Sequence, residues 1–145
     1  MGRPRAEVFS FFADPANLAR LTPSWLGFRL LGPAPPMAAF AVFDYRIRWL
    51  GLPLHWRAFI REYDPPARFV DVQVRGPYHK WEHRHLFWEE QGGTWVEDYV
   101  RYQLRLGPLG RAVQALVVGR QLAAIWAYRR RRLTELVAPA LDRPP

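Results

Sequence analysis

From Ala39 to Leu104, apolar and polar residues alternate in runs separated by glycine and proline, the pattern of half-buried β-strands. Ala39 to Trp49 and Leu54 to Tyr63 read as two long strands joined by Gly51-Leu52-Pro53, a hairpin by its length and turn chemistry. Arg68 to Val74, Lys80 to Glu90 and Thr94 to Leu104 follow, punctuated by Asp64-Pro65-Pro66, Gly76-Pro77 and Gln91-Gly92-Gly93. A shorter strand, Gly27 to Leu31, comes before the stiff loop Gly32-Pro33-Ala34-Pro35-Pro36. Connections this short make the middle half of the chain an antiparallel meander.

Helical spacing flanks the meander. Residues 4 to 12 place Val8, Phe11 and Phe12 on one face and stop at Asp14-Pro15, while Ala16 to Leu21 is a second short helix ending before Thr22-Pro23. Beyond Gly107-Pro108, the stretch from about Leu109 to Val137 has helical composition and no internal proline. There Val118, Leu122, Ile125, Trp126, Leu133 and Leu136 make an apolar stripe that Val113, Leu116, Val117, Ala124 and Tyr128 widen. So broad a stripe predicts a helix embraced by other structure. Two short helices, six strands and a long helix predict an α+β domain with the long helix laid across the sheet. The 145 residues suit one domain, 1–145, with a loose tail from Ala138 to Pro145.

Composition narrows the classes. Cysteine is absent, which removes disulfides and thiolate metal sites. No apolar run approaches the roughly 18 residues of a membrane span, and Glu7 and Asp14 interrupt the N-terminal region before a signal-peptide core develops. A soluble, cytoplasmic protein is the expectation. The formal charge of +8 is almost wholly arginine, with Lys80 the lone lysine, and suits anionic partners without naming one. Arg129-Arg130-Arg131-Arg132 steps around the helix by about 100° per residue, so it reads as a solvated helix end rather than a binding stripe. The aromatics are expected to face inward, which argues against a nucleic-acid surface; transient contact with an anionic membrane remains compatible with the charge.

Strand alternation assigns faces. Tyr45 and Ile47, Trp56, Ala58 and Ile60, Trp81, His83, His85 and Phe87, and Val96, Asp98, Val100 and Tyr102 are placed on the side facing the helix. Ile125 and Trp126 would close that side from above, with Trp25 and Tyr78 near the mouth. Between Phe69 and Val74 the parity is open. Val70, Val72 and Val74 inward would make an ordinary apolar wall, and Phe69, Asp71 and Gln73 inward a polar one.

Several motifs in order resemble the SRPBCC superfamily of START domains, the major birch-pollen allergen and polyketide cyclase/dehydrase-like proteins. They are Ala6-Glu7-Val8-Phe9 to Phe12-Ala13-Asp14-Pro15, Arg68-Phe69-Val70-Asp71, Gly76-Pro77-Tyr78 with Trp81, His83, His85 and Phe87, and Gly93-Thr94 followed by Asp98. The resemblance implies a helix-grip fold, in which a curved antiparallel sheet wraps the C-terminal helix around a cavity for a hydrophobic small molecule. Members usually begin with a strand of about ten residues ahead of the first helix, whereas here that helix begins within the first few residues: either the true start lies upstream or the edge strand is absent, and in the second case the strands at 27–31 and 94–104 have open edges able to pair with a second copy.

The expected activity is binding or carriage of a lipid, isoprenoid, quinone or polyketide-like molecule. Its contacts are expected from Trp25, Tyr45, Trp56, Tyr78, Trp81, His83, His85, Phe87, Asp98, Tyr102, Ile125 and Trp126. Two other readings stand beside it. His83, His85 and Asp98 could act as a general acid/base cluster of a cyclase or dehydratase, although no nucleophile motif accompanies them, so no catalytic residue is assigned. An open sheet edge could instead make the chain an interaction module. His83 and His85, about 7 Å apart on one strand face, with Asp98 as a third donor, also match a zinc site; histidines so spaced are common without metal, and neither a metal nor another cofactor is expected.

Overall fold

The computed structural model describes residues 1–49, 51–104 and 117–137. In chain order it contains α1 (Arg5–Ala13), α2 (Pro15–Arg20), a 3-10 turn (Ser24–Leu26), β1 (Arg29–Leu30), β2 (Val42–Trp49), β3 (Leu52–Asp64), β4 (Arg68–Arg75), β5 (Lys80–Glu90), β6 (Gly93–Gln103) and α3 (Gly119–Val137). The expected start of the last helix near Leu109, the break at Gly107-Pro108 and the tail from Ala138 lie outside the described residues. Asp14 separates the first two helices: its carboxylate accepts from Ala16 N at 2.9 Å and Pro15 takes the first helical position, where a missing N–H costs nothing.

The six strands form a single curved sheet in sequential order, each antiparallel to its neighbour, with the long helix gripped on the concave side. This is the α+β helix-grip architecture. β1 and β6 stand at the two ends of the sheet. Met1 touches the β6 end, where its ammonium donates to Thr94 O at 2.8 Å and Thr94 N donates back to Met1 O at 2.7 Å. Among the described residues no helix is long and apolar enough to cross a membrane.

The register of β3 against β4 slips twice. Ile60 pairs with Asp71 but Glu62 with Val70, leaving Arg61 as an extra residue; Arg57 pairs with Arg75 but Ala58 with Gln73, leaving Val74 extra. Each bulge bends its strand and reverses the alternation beyond it. On β3 the inward set therefore runs Trp56, Ala58, Ile60 and then Tyr63. The parity left open in β4 resolves to Phe69, Asp71 and Gln73 inward, because Phe69 is registered with His85 and Asp71 with His83. Val74 is 64% exposed.

Two apolar clusters flank the helix. Phe9 sits at the centre of the first, with ring centroids 5.2 Å from Phe87, 5.6 Å from Tyr63 and 5.8 Å from Phe69, and Leu133 and Val137 of α3 pack into the same cluster. Phe43, Tyr45, Ala58 and Ile60 form the second, with Phe28 tilted onto Tyr45 at 5.0 Å. The expected stripe of α1 carries Val8, Phe11 and Phe12 without Phe9; Phe9 joins because its ring meets Tyr63 of β3, Phe69 of β4 and Phe87 of β5. Truncating so central a ring removes contacts with three other rings at once. Phe9→Ala is expected to destabilise the protein by about 3–5 kcal/mol, read as a lowered urea midpoint with an unchanged slope.

Candidate functional site

A cavity of about 200 Å³ lies where the two clusters meet. That is more than ten times the roughly 10–15 Å³ needed to hold one water, so it is an intended space rather than a packing fault. Phe12 of α1, Leu18 of α2 and Leu21 just after it close one side, and Leu122, Ile125 and Trp126 cover it from α3. Ile47, Ala58 and Ile60 supply an aliphatic floor.

Tyr45, Trp56, Trp81, His83 and His85, expected on this face, and Tyr78, expected near its mouth, all line the space, together with Ile125 and Trp126. Four other expected contacts fall elsewhere. Phe87 faces inward but is covered by Phe9 and Phe12, its centroid 5.3 Å from the latter. Tyr102 packs on Tyr78 and Trp81 at 5.5 and 6.2 Å rather than on the cavity. Trp25 lies on the 3-10 turn and is 48% exposed. Asp98 stands behind the imidazoles, against the ring nitrogens that point away from Asp71.

Tyr78 owes its place to a glycine. Gln73 Nε2 donates to Tyr78 O at 2.8 Å while Tyr78 N donates to Gln73 Oε1 at 3.3 Å. A Cβ on Gly76 would come within 2.3 Å of that same Oε1, so only glycine lets the clip close.

The polar wall consists of two imidazoles held between two carboxylates. Asp71 Oδ1 is 3.5 Å from both His83 Nδ1 and His85 Nε2, and Asp98 Oδ1 is 3.3 Å from His83 Nε2 and 2.6 Å from His85 Nδ1. The rings are wedged in place. His85 stacks on Phe69 at 4.0 Å, and His83 meets the edge of Trp126 at 5.3 Å. Both histidines are buried, and among the described residues no well-angled hydrogen bond reaches His83 Nε2, His85 Nδ1 or Asp98 Oδ1 despite their closeness. Burial by itself would raise Asp71 and Asp98, but the adjacent imidazoles outweigh it and hold both carboxyls below the usual carboxylate range. For His83 burial opposes the charged form, yet the flanking carboxylates raise it above an ordinary imidazole. Burial, then the charges of Asp71 and Asp44, push the Tyr45 phenol up.

Arg129 corrects the reading of the arginine run as wholly solvated. It is 9% exposed, lines the cavity, and holds its guanidinium carbon 4.7 Å from the centroid of the Trp126 ring. Its Nε has no hydrogen-bond partner among the described residues. Burial lowers its pKa, partly opposed by Asp98 and Asp71. The signal was in the helical period: Arg129 follows Ile125 by four residues and precedes Leu133 by four, so it falls inside the apolar stripe. Asp71 had no comparable signal, because its face depends on the Arg61 bulge.

Removing one partner from a buried charged cluster strands the others. Asp98→Ala is expected to cost about 3 kcal/mol of unfolding free energy, measured by urea titration, whereas Trp25→Ala, at a half-exposed position away from the cavity, is expected to stay within about 0.5 kcal/mol of the parent.

No curated protein matches this sequence significantly. Solved structures of the same fold do. A protein of Thermus thermophilus is 16% identical with a TM-score of 0.69, covering 93% of this chain and 92% of its own. Protein CV1439 of Chromobacterium violaceum is 15% identical with a TM-score of 0.67 over 96% and 92% of the two chains. Ara h 8.0201 is 14% identical with a TM-score of 0.58 over 92% of each. At these identities the likeness concerns the fold. The model of the polyketide cyclase/dehydrase and lipid transport family matches residues 1–125, and the chain belongs to that family.

Proposed function

We propose that the protein reversibly binds a hydrophobic or amphipathic small molecule, of the lipid, isoprenoid, quinone or polyketide-like class, in the cavity under α3. The observation that carries this reading is a cavity of about 200 Å³ with aliphatic and aromatic walls and polar groups gathered at one place. Affinity comes from the walls. Burying about ten methylene groups contributes on the order of 8 kcal/mol, against association costs of similar size, so the polar contacts decide how tightly and in which orientation the ligand sits. Arg129 Nε supplies a donor without a partner among the described residues, and a ligand oxygen would satisfy it where an aliphatic group would not.

A second reading has its own observation. Imidazoles flanked by carboxylates are oriented for proton transfer, which suits a cyclase or dehydratase acting on a carbonyl compound held in the same cavity. His83→Ala and His85→Ala are then expected to abolish turnover of such a compound while binding persists; loss of stability alone assigns the cluster a structural role.

For the binding reading, native mass spectrometry of protein purified without detergent is expected to show a co-purified apolar ligand. Filling the cavity should displace it. Leu122→Trp and Ala58→Trp are each expected to weaken binding of a fluorescent lipid probe at least tenfold, with circular dichroism confirming that at least one variant keeps its fold. A cavity that is empty on purification and rejects every such probe overturns the proposal.

A further inference from the structure

The polar wall carries more carboxylate than its neighbours balance. Asp71 and Asp98 bring two negative charges, and Arg129 is the sole arginine lining the cavity among the described residues. With both imidazoles neutral, one further positive charge is needed in a nearly dry place. A proton on an imidazole supplies it alone, whereas a divalent ion supplies it with one charge over, which an anionic ligand oxygen or hydroxide at an open position would offset; the two leave different distances behind. Charge-assisted N–H to carboxylate hydrogen bonds settle at about 2.7–2.9 Å. A tetrahedral ion that holds nitrogen and oxygen donors at about 2.0–2.2 Å instead keeps those donors roughly 3.3–3.6 Å from one another.

On the Asp71 side the contacts are of the second kind. Asp71 Oδ1 lies 3.5 Å from His83 Nδ1 and 3.5 Å from His85 Nε2, too long for the hydrogen bonds and right for two edges of a coordination tetrahedron. One donor atom from each of the three residues falls within 4.8 Å of the other two. The opposite ring nitrogens, His83 Nε2 and His85 Nδ1, both face Asp98 Oδ1, at 3.3 and 2.6 Å. Asp98 thus stands on the far side of both rings, where a carboxylate commonly backs ligating histidines, close to these nitrogens though not in well-angled hydrogen bonds with them. Packing of His85 on Phe69 and of His83 on Trp126 wedges both rings beside Asp71.

We infer that Asp71, His83 and His85 form a binding site for one divalent transition-metal ion of the zinc class, with Asp98 orienting both imidazoles and the remaining coordination position open to the cavity. Two nitrogens and one oxygen suit zinc or cobalt and are a poor set for calcium or magnesium, which want all-oxygen cages. The sequence pointed to Asp98 as the third donor; the register of β4 with β5 puts Asp71 there instead. A ligand oxygen entering the cavity would meet the ion, but the site needs no ligand to exist. The inference therefore stands apart from the carrier reading.

The test uses the full chain, stripped with a chelator and dialysed. Zinc chloride titrated calorimetrically is expected to bind at one ion per chain with a micromolar or tighter constant. Cobalt(II) is expected to give the intense visible absorption of a tetrahedral site. In imidazole NMR spectra, zinc should move the resonances of His83 and His85 and leave those of His55 and His79, so the outcome does not depend on any variant folding. Asp71→Asn should weaken zinc more than tenfold, and Asp98→Asn by roughly 10–100-fold at unchanged stoichiometry. No binding tighter than millimolar, or zinc shifts confined to His55 and His79, overturns the inference.

Discussion

The cross-strand register of β3, β4 and β5 is the constraint on which the site depends. Side chains on a strand alternate with a period of two, so one inserted residue exchanges faces for everything beyond it. Arg61 is such a residue on β3, and it lets Asp71 stand opposite Ile60 and His83 together. Carried on from Asp64 and Arg68 without that slip, the pairing would set Val72 rather than Asp71 opposite Ile60. The same bulge bends the sheet, and a bent sheet cannot lie flat against a straight helix.

The polar wall exposes how a protein tolerates charge in a dry place. Neither carboxylate would remain ionised there alone, since burial opposes both. Each is shared by two imidazoles, and each imidazole meets both carboxylates, so the cluster is stable as a unit. Arg129 adds a charge at longer range, supported by the face of Trp126, and its Nε has no hydrogen-bond partner among the described residues.

Much of the architecture was legible because local chemistry and global fold agree. Period-two alternation, proline and glycine at the turns and an apolar helical stripe each pointed to the same antiparallel sheet under one long helix, and the observed strands fall within a few residues of those expected. The inward faces of β2, β3 and β5 were legible for the same reason. Misplacements arose where a correct face was not enough. Phe87 and Tyr102 face inward as expected, yet other aromatic rings reach them before the cavity does.

The sequence by itself determined the strands, their order, the side of the sheet on which His83, His85 and Asp98 stand, and the family to which the motifs point. Only the tertiary structure decided that Asp71 joins them and that Arg129 leaves the solvent. A bulge is invisible in an alternating pattern until the neighbouring strand sets the pairing. The rotation of a helix about its axis is likewise set by what the sheet presents to it, and here the sheet offers Arg129 two carboxylates in place of water, with the ring of Trp126 beside it on its own helix.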